Sequence, residues 1–145
     1  MNYKELTLDN VDEVIELFIN AFNREPWNDE WTYETTSKRL RQMISWDGSY
    51  GLIAYDNDII VGMILGNKEY YYNCIHFEIS EFCVDANIKG RGYGRIIIEE
   101  FEKRLKELGI DEIILKTNRA EATFNFYNKM GYKEIDTLVM MEKKL

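Results

Sequence analysis

Lys89-Gly90-Arg91-Gly92-Tyr93-Gly94 stands between a strand-like apolar run, Glu81-Phe82-Cys83-Val84, and an amphipathic helix that begins near Gly92. Glycines at alternate positions, flanked by Lys89, Arg91 and Arg95, describe a main chain suited to holding phosphate. Glycine admits positive φ and has no Cβ to keep a ligand away, and the first turn of a helix presents unpaired NH groups with a partial positive charge. The implied ligand is an anion. No Gly-Lys-Ser/Thr follows, which excludes a Walker loop, and G-x-G-x-G is not the G-x-G-x-x-G of dinucleotide-binding folds. A dinucleotide oxidoreductase also needs an acidic residue after a correctly spaced loop in a βαβ unit, and none is found.

Outward from this loop the chain reads as strands and helices in a clear order. Residues 2–8 form a first strand, and Asp9 is placed to cap a helix whose Val11, Val14, Ile15, Phe18 and Phe22 recur at helical spacing. A second helix is expected from Glu30 to Trp46. Gly51 to Tyr55 and Ile59 to Leu65 make a hairpin turning at Asp56-Asn57-Asp58. A long strand from Cys74 to Val84 alternates Ile75, Phe77 and Ile79 against His76, Glu78 and Ser80. After the loop, Ile97, Phe101, Leu105 and Leu108 mark the buried stripe of a helix stopped by Gly109. Asp111 to Thr117 is a short strand, Ala120 to Met130 a helix ended by Gly131, and residues 132–143 are expected to form two closing strand segments. The fold class is therefore α/β or α+β, a mixed sheet with helices on both faces.

With 145 residues, 46% hydrophobic and 14% aromatic, the chain has enough apolar surface for one continuous core, so residues 1–145 are expected to be one domain. No signal-like stretch or membrane-length apolar run occurs, and a cytoplasmic location is expected. Cys74 and Cys83 lack a C-x-x-C spacing, so both are read as reduced, packed thiols and no metal is expected. The net charge of −8 argues against nucleic acid and makes a basic small-molecule partner plausible.

A second signature follows the loop: Phe124-Asn125-Phe126-Tyr127-Asn128-Lys129-Met130-Gly131-Tyr132, a helix carrying an aromatic-Tyr pair and ending at Gly-Tyr. Together the two stretches resemble the GNAT N-acetyltransferase superfamily, whose pyrophosphate loop reads Gln/Arg-x-x-Gly-x-Gly/Ala. Lys89, Ala86 and Thr123 depart from the commonest residues of that pattern, but none removes a backbone donor. The resemblance implies a mostly antiparallel sheet splayed after its fourth strand, acetyl-CoA as cosubstrate, and transfer of an acetyl group to a primary amine. The Pro26-Trp27-Asn28 segment and the acidic character are similar to those of aminoglycoside and polyamine acetyltransferases. The acceptor expected is thus small and cationic, aminoglycoside-, polyamine- or amino-acid-like, and the enzyme a monomer or homodimer without nucleic-acid or membrane partners. A domain of the same fold that binds acyl-CoA without turning it over is the alternative.

The resemblance also distributes roles. Lys89, Gly90, Arg91, Gly92, Tyr93, Gly94 and Arg95 would hold pyrophosphate, the backbone of Phe82, Cys83 and Val84 would pair with pantetheine like an added strand, and Asn118 and Asn125 could donate to its amides. An alkylamine with a pKa of about 10.4 is almost wholly protonated at neutrality, and a departing thiolate has a conjugate pKa of about 8.5, so one group must accept a proton and another supply one. Tyr127 matches the family's acid. Glu81 matches its base, although strict alternation sets Glu81 on the face opposite Glu78 and His76, so the assignment requires a bulge. Glu78 and then His76 are the alternatives for the base. Trp27, Trp31 and Glu78, with Trp46 and the Tyr70-Tyr71-Tyr72 run, are the candidates for the acceptor side, Trp46 being the one that reads more as core.

Overall fold

A computed structural model describes residues 1–145, and its organising element is a five-stranded sheet in the order β1-β2-β3-β4-β5. β1 (Asn2–Glu5), β2 (Ser49–Asp56), β3 (Ile59–Tyr70) and β4 (Ile75–Val84) pair antiparallel, and β5 (Glu112–Leu115) joins β4 in parallel. α1 (Ile15–Phe22) and α2 (Tyr33–Ile44) cover one face; α3 (Tyr93–Glu107) and α4 (Glu121–Lys129) cover the other. The arrangement is the mixed, mostly antiparallel sheet that the sequence implies.

Two apolar layers follow from the pleat. On the first face Val14, Ile15 and Phe18 meet Leu40 and Met43 of α2 over Ile53, Met63 and Leu65. On the second, Ile97, Ile98, Phe101 and Leu105 of α3 lie on Leu52, Ile64, Phe77 and Ile79. Full burial of each such side chain is worth about 1.5–3 kcal/mol.

Local structure departs from expectation where capping and pairing take precedence over pattern. Asp9 does not cap: the chain enters α1 through a 3-10 turn, Val11–Val14, preceded by Asn10. Asn10 Oδ1 accepts from Thr7 N at 2.8 Å, and its amide donates to the Glu5 carbonyl at 2.9 Å, turning the chain before the helix starts. α2 begins at Tyr33 rather than Glu30, because Thr32 and Thr35 form a reciprocal capping box. Leu108 lies beyond the last turn of α3 and is 59% exposed. Trp46 likewise falls past the end of α2 and is 44% exposed, outside the core.

The two closing strands are not formed. Residues 132–143 join no ladder, β5 stays the edge of the sheet, and Leu138, Val139, Met140 and Met141 are exposed. An apolar run makes a strand only when its NH and C=O groups find a partner chain, and here they find none.

The sheet's most consequential irregularity is in β4. Leu65 pairs with Glu81 and Gly66 with Ile79, leaving Ser80 as the extra residue of a bulge. Phe77 and Ile79 face α3, whereas Cys83, beyond the bulge, joins the layer under α1 and α2. Gly66 is required here: a Cβ at this position would stand 2.0 Å from the Glu78 carbonyl oxygen.

Candidate active site

β4 and β5 stay paired only from His76–Glu112 to Ile79–Leu115. Beyond that register they part at the bulge, and a cavity of about 190 Å³ occupies the opening. Ile79, Ser80, Glu81 and Phe82 form one wall, and Leu115, Lys116, Thr117 and Tyr127 another. The first helical layer closes it with Phe18, Phe22, Trp27, Asp29, Trp31 and Arg39.

The bulge turns Glu81 toward α2, where it is only 6% exposed. Arg39 Nε–H donates to Glu81 Oε1 at 2.6 Å, and a second guanidinium nitrogen pairs with the same oxygen. Burial pushes the Glu81 carboxyl above the ordinary carboxylate range, and the Arg39 charge and hydrogen bond oppose it. A buried carboxylate with a raised pKa is a stronger proton acceptor than a surface one.

Across the opening, Tyr127 is held by edge-on packing against Phe126 and Tyr132, with ring centroids 5.1 and 5.6 Å away. Tyr132 is anchored in turn by a 2.8 Å hydrogen bond to Glu102. Desolvation alone pushes the Tyr127 hydroxyl up to about 12, so it retains its proton throughout the neutral range. The cavity thus holds a proton acceptor and a proton donor.

Trp27 and Trp31 serve both as wall and as core. Trp31 meets Phe18 edge-on at 5.3 Å, and Trp27 meets Phe22 at 5.8 Å. Asn23 fixes the connecting segment by exchanging two hydrogen bonds with the Trp31 backbone, at 2.9 and 2.8 Å, and the indole NH donates to Asp29 at 2.9 Å. The Arg39 guanidinium lies over the Trp31 ring, 5.6 Å from its centroid.

Beyond Val84 the chain enters the glycine segment. Asp85 accepts from Asn87 N at 2.9 Å and turns the chain through Ala86–Ile88 toward Lys89. Gly90 and Gly92 have φ of +86° and +83°, with nothing within 4 Å of where a Cβ would be. Gly92 is the N-cap of α3 and no side chain caps that end, so its first NH groups are free for an anion. Gly94 belongs to the helix itself: its missing Cβ admits the Phe126 ring, which would stand 3.3 Å from it. The open cradle and the uncapped helix end suit a pyrophosphate. Tyr93 turns its hydroxyl to Asp56, and Arg95 pairs with Glu99 at 2.8 Å, so of the segment's three basic side chains Lys89 and Arg91 carry no salt bridge.

Other expected residues lie elsewhere. Cys83 is buried in the first core layer and offers only its backbone, and burial pushes its thiol far up. Asn118 Oδ1 accepts from Ala120 N at 2.6 Å, shaping the entry to α4, and Asn125 lies exposed on a shallow groove along that helix. Glu78 accepts from Lys116 at 2.7 Å outside the cavity lining. His76, Trp46 and Tyr70-Tyr71-Tyr72 are also outside it, because the tyrosines and His76 occupy the opposite end of β4. Arg39, Asp29 and Lys116 line the cavity without having been legible in the chain, since no local motif surrounds them.

Comparison with known proteins places this geometry in a family. A profile of the acetyltransferase (GNAT) family matches residues 11–132. An uncharacterized N-acetyltransferase of Chlorobaculum tepidum is 32% identical over 66 residues, which are 46% of this chain and 40% of that protein. The match therefore spans less than half of that curated relative. The crystal structure of a possible acetyltransferase from Clostridium difficile 630 superposes with a TM-score of 0.81 at 16% identity, covering 99% of this chain and 97% of the other. An aminoglycoside acetyltransferase from an uncultured soil metagenomic sample, crystallised with sisomicin, gives 0.75 at 19% identity, with 99% and 95% covered. At such identities the likeness is one of fold. No helix is long and apolar enough to cross a membrane.

Proposed function

The chain belongs to the GNAT acetyltransferase family, and from that premise we propose that it transfers an acetyl group from acetyl-CoA to a primary amine of a small acceptor. The observation that carries the reading is the opening between β4 and β5, where Glu81 and Tyr127 line one cavity and the same strand leads directly into the glycine cradle. Acetyl-CoA, when bound, supplies an activated acyl thioester. The chain's own residues do the rest.

Gly90, Gly92 and the first NH groups of α3 hold the pyrophosphate, with Lys89 and Arg91 adding charge. Phe82 to Val84, unpaired on the β5 side, present backbone groups to the pantetheine arm. Glu81 receives a proton from the ammonium form of the acceptor, so that its nitrogen lone pair becomes available. Tyr127 gives its proton to the departing sulfur and is restored from solvent, which takes up the second proton that the nitrogen sheds as it becomes an amide. Its high pKa ensures that it begins protonated.

Aromatic faces at Trp27 and Trp31 and the carboxylate of Asp29 favour a cationic acceptor of aminoglycoside, polyamine or amino-acid type. The aminoglycoside acetyltransferase whose fold this chain shares supports placing aminoglycosides first in a panel. Release of free thiol from acetyl-CoA, measured against aminoglycosides, polyamines, amino acids and peptide N-termini, tests the proposal. Turnover with any primary amine supports it. Tight coenzyme binding with no acceptor turned over would instead identify a noncatalytic acyl-CoA-binding domain.

A further inference from the structure

At the end of β4 remote from the cavity, three side chains of metal-ligating type converge. Cys74, His76 and Glu112 each offer one ligand atom, and these atoms all lie within 4.8 Å of one another. Cys74 immediately precedes β4, two residues before His76, and His76 is the register partner of Glu112 in the parallel β4–β5 pair. His76 Nε2 and Glu112 Oε2 are already 3.1 Å apart.

The surrounding backbone holds the cluster in place. Tyr71 N donates to the Cys74 carbonyl at 2.9 Å, closing the turn that carries the cysteine. Ile75 N donates to Asp111 Oδ2 at 2.7 Å, and Asp111 N donates to the Ile75 carbonyl at 2.9 Å, so the two strand starts are locked together. The Tyr71 ring stacks on His76 at 5.0 Å and 19°, limiting rotation of the imidazole. Sulfur, imidazole nitrogen and carboxylate oxygen form a ligand set for a borderline divalent metal, zinc above all. Tetrahedral zinc would bring the three atoms to about 3.5 Å from one another, given bonds of roughly 2.0–2.3 Å. The His76–Glu112 separation is already close to this value, and the exposed Glu112 side chain has room to adjust as the atoms close in from within 4.8 Å of one another.

We propose that Cys74, His76 and Glu112 form a zinc site, with solvent in the fourth position, that ties the Tyr71–Cys74 turn to the start of β5. The expectation of no metal rested on cysteine spacing along the chain, whereas this ligand set is assembled by strand pairing. Binding exchanges the proton on the Cys74 thiol for the metal, releasing that proton to solvent while His76 donates its Nε2 lone pair. The site is remote from the acetyl-transfer cavity and does not depend on that reading.

The test is titration of the full chain, first stripped with chelator, with cobalt(II) as a spectroscopic stand-in for zinc. The expected result is a near-ultraviolet thiolate-to-cobalt charge-transfer band that saturates at one equivalent and is displaced by zinc. Cys74→Ser should abolish the band. His76→Gln and Glu112→Gln should each weaken binding by more than the roughly 10- to 100-fold that loss of an outer-shell partner costs. Zinc should also slow alkylation of Cys74 and raise the melting temperature. Absence of the band in the native chain, or its survival in Cys74→Ser, where the buried Cys83 is the only thiol left, would overturn the proposal.

Discussion

Arg39 of α2 and Glu81 of β4, 42 residues apart in the chain, are joined by a 2.6 Å hydrogen bond inside the cavity between the parted strands. The contact neutralises the one buried carboxylate of the core and places a guanidinium over Trp31. Burial raises the proton affinity of the proposed base, and Arg39 is the residue that moderates it.

Arg39→Met keeps an apolar stem and removes the charge. Both effects that oppose burial at Glu81 come from Arg39, so the carboxyl rises further. A carboxyl whose pKa is higher folded than unfolded favours the fold below its unfolded value and loses that contribution as pH rises through the folded one. The variant should therefore lose stability chiefly at neutral pH, by about 1–3 kcal/mol, the cost of an unsatisfied buried partner. Near pH 4 the loss should be small. Urea unfolding at the two pH values checks this; equal losses would mean that Arg39 acts by packing alone.

Glu81→Gln retains shape and removes the proton acceptor. Turnover should fall most at neutral pH and recover as pH approaches the amine's own pKa, about 10.4 for an alkylamine, where free base needs no enzyme to generate it. A pH–rate profile on any acceptor found in the panel measures this. A uniform loss across pH would assign Glu81 to positioning.

Tyr127→Phe deletes a hydroxyl whose only resolved perturbation is desolvation. Acetyl-CoA binding should persist while turnover drops by roughly ten- to a thousandfold. Because that hydroxyl titrates only at about 12, the native enzyme should show no alkaline loss of rate from this group below about pH 11. Unchanged turnover in the variant would remove Tyr127 from the mechanism.

At Gly92 the backbone conformation and the open space have separable consequences. Gly92→Ala meets no neighbouring atom but must adopt a φ of +83°, which costs about 1–2 kcal/mol. Gly92→Asp adds a negative charge at the uncapped helix end and should abolish the rise in melting temperature that acetyl-CoA produces in the native chain. A folded Gly92→Asp variant with native coenzyme affinity would place the pyrophosphate elsewhere.

Gly66→Ala tests the bulge. Its Cβ would fall 2.0 Å from the Glu78 carbonyl oxygen, a backbone atom that cannot rotate away. The expected loss is about 3 kcal/mol or more, at the upper end for overpacking. Residual activity should fall as well, because relief of the clash shifts the strand that aims Glu81. A thermal melt and the thiol-release rate, read together, check both; a stable, fully active variant would show that β4 tolerates another register.

Much of the architecture was legible along the chain because it depends on local periodicity. The stripe Val11-Val14-Ile15-Phe18-Phe22 became the buried face of the 3-10 turn and of α1, and Phe77 with Ile79 took the inner face of β4. The glycine segment announced a left-handed cap that only glycine adopts without strain, and Gly92 caps α3 in that conformation. The closing strands were not legible, since Leu138 to Met141 are apolar enough for a strand yet pair with nothing. Trp46 read as core but falls beyond the C-cap of α2 and is exposed.

What the sequence alone determined is what a window of a few residues contains: which segments are helices or strands, where glycine must relax the backbone, and which side chains carry chemistry. Which of those side chains meet was decided by pairing between distant strands. One extra residue, Ser80, is accommodated against Gly66 of β3 and reverses the face on which every later residue of β4 points. That reversal brings Glu81 to Arg39, and the parallel register of β5 brings Glu112 to His76 and Cys74. Side-chain alternation has a period of two, so a shift of one residue, imposed by hydrogen bonds to another strand, leaves no trace in local composition.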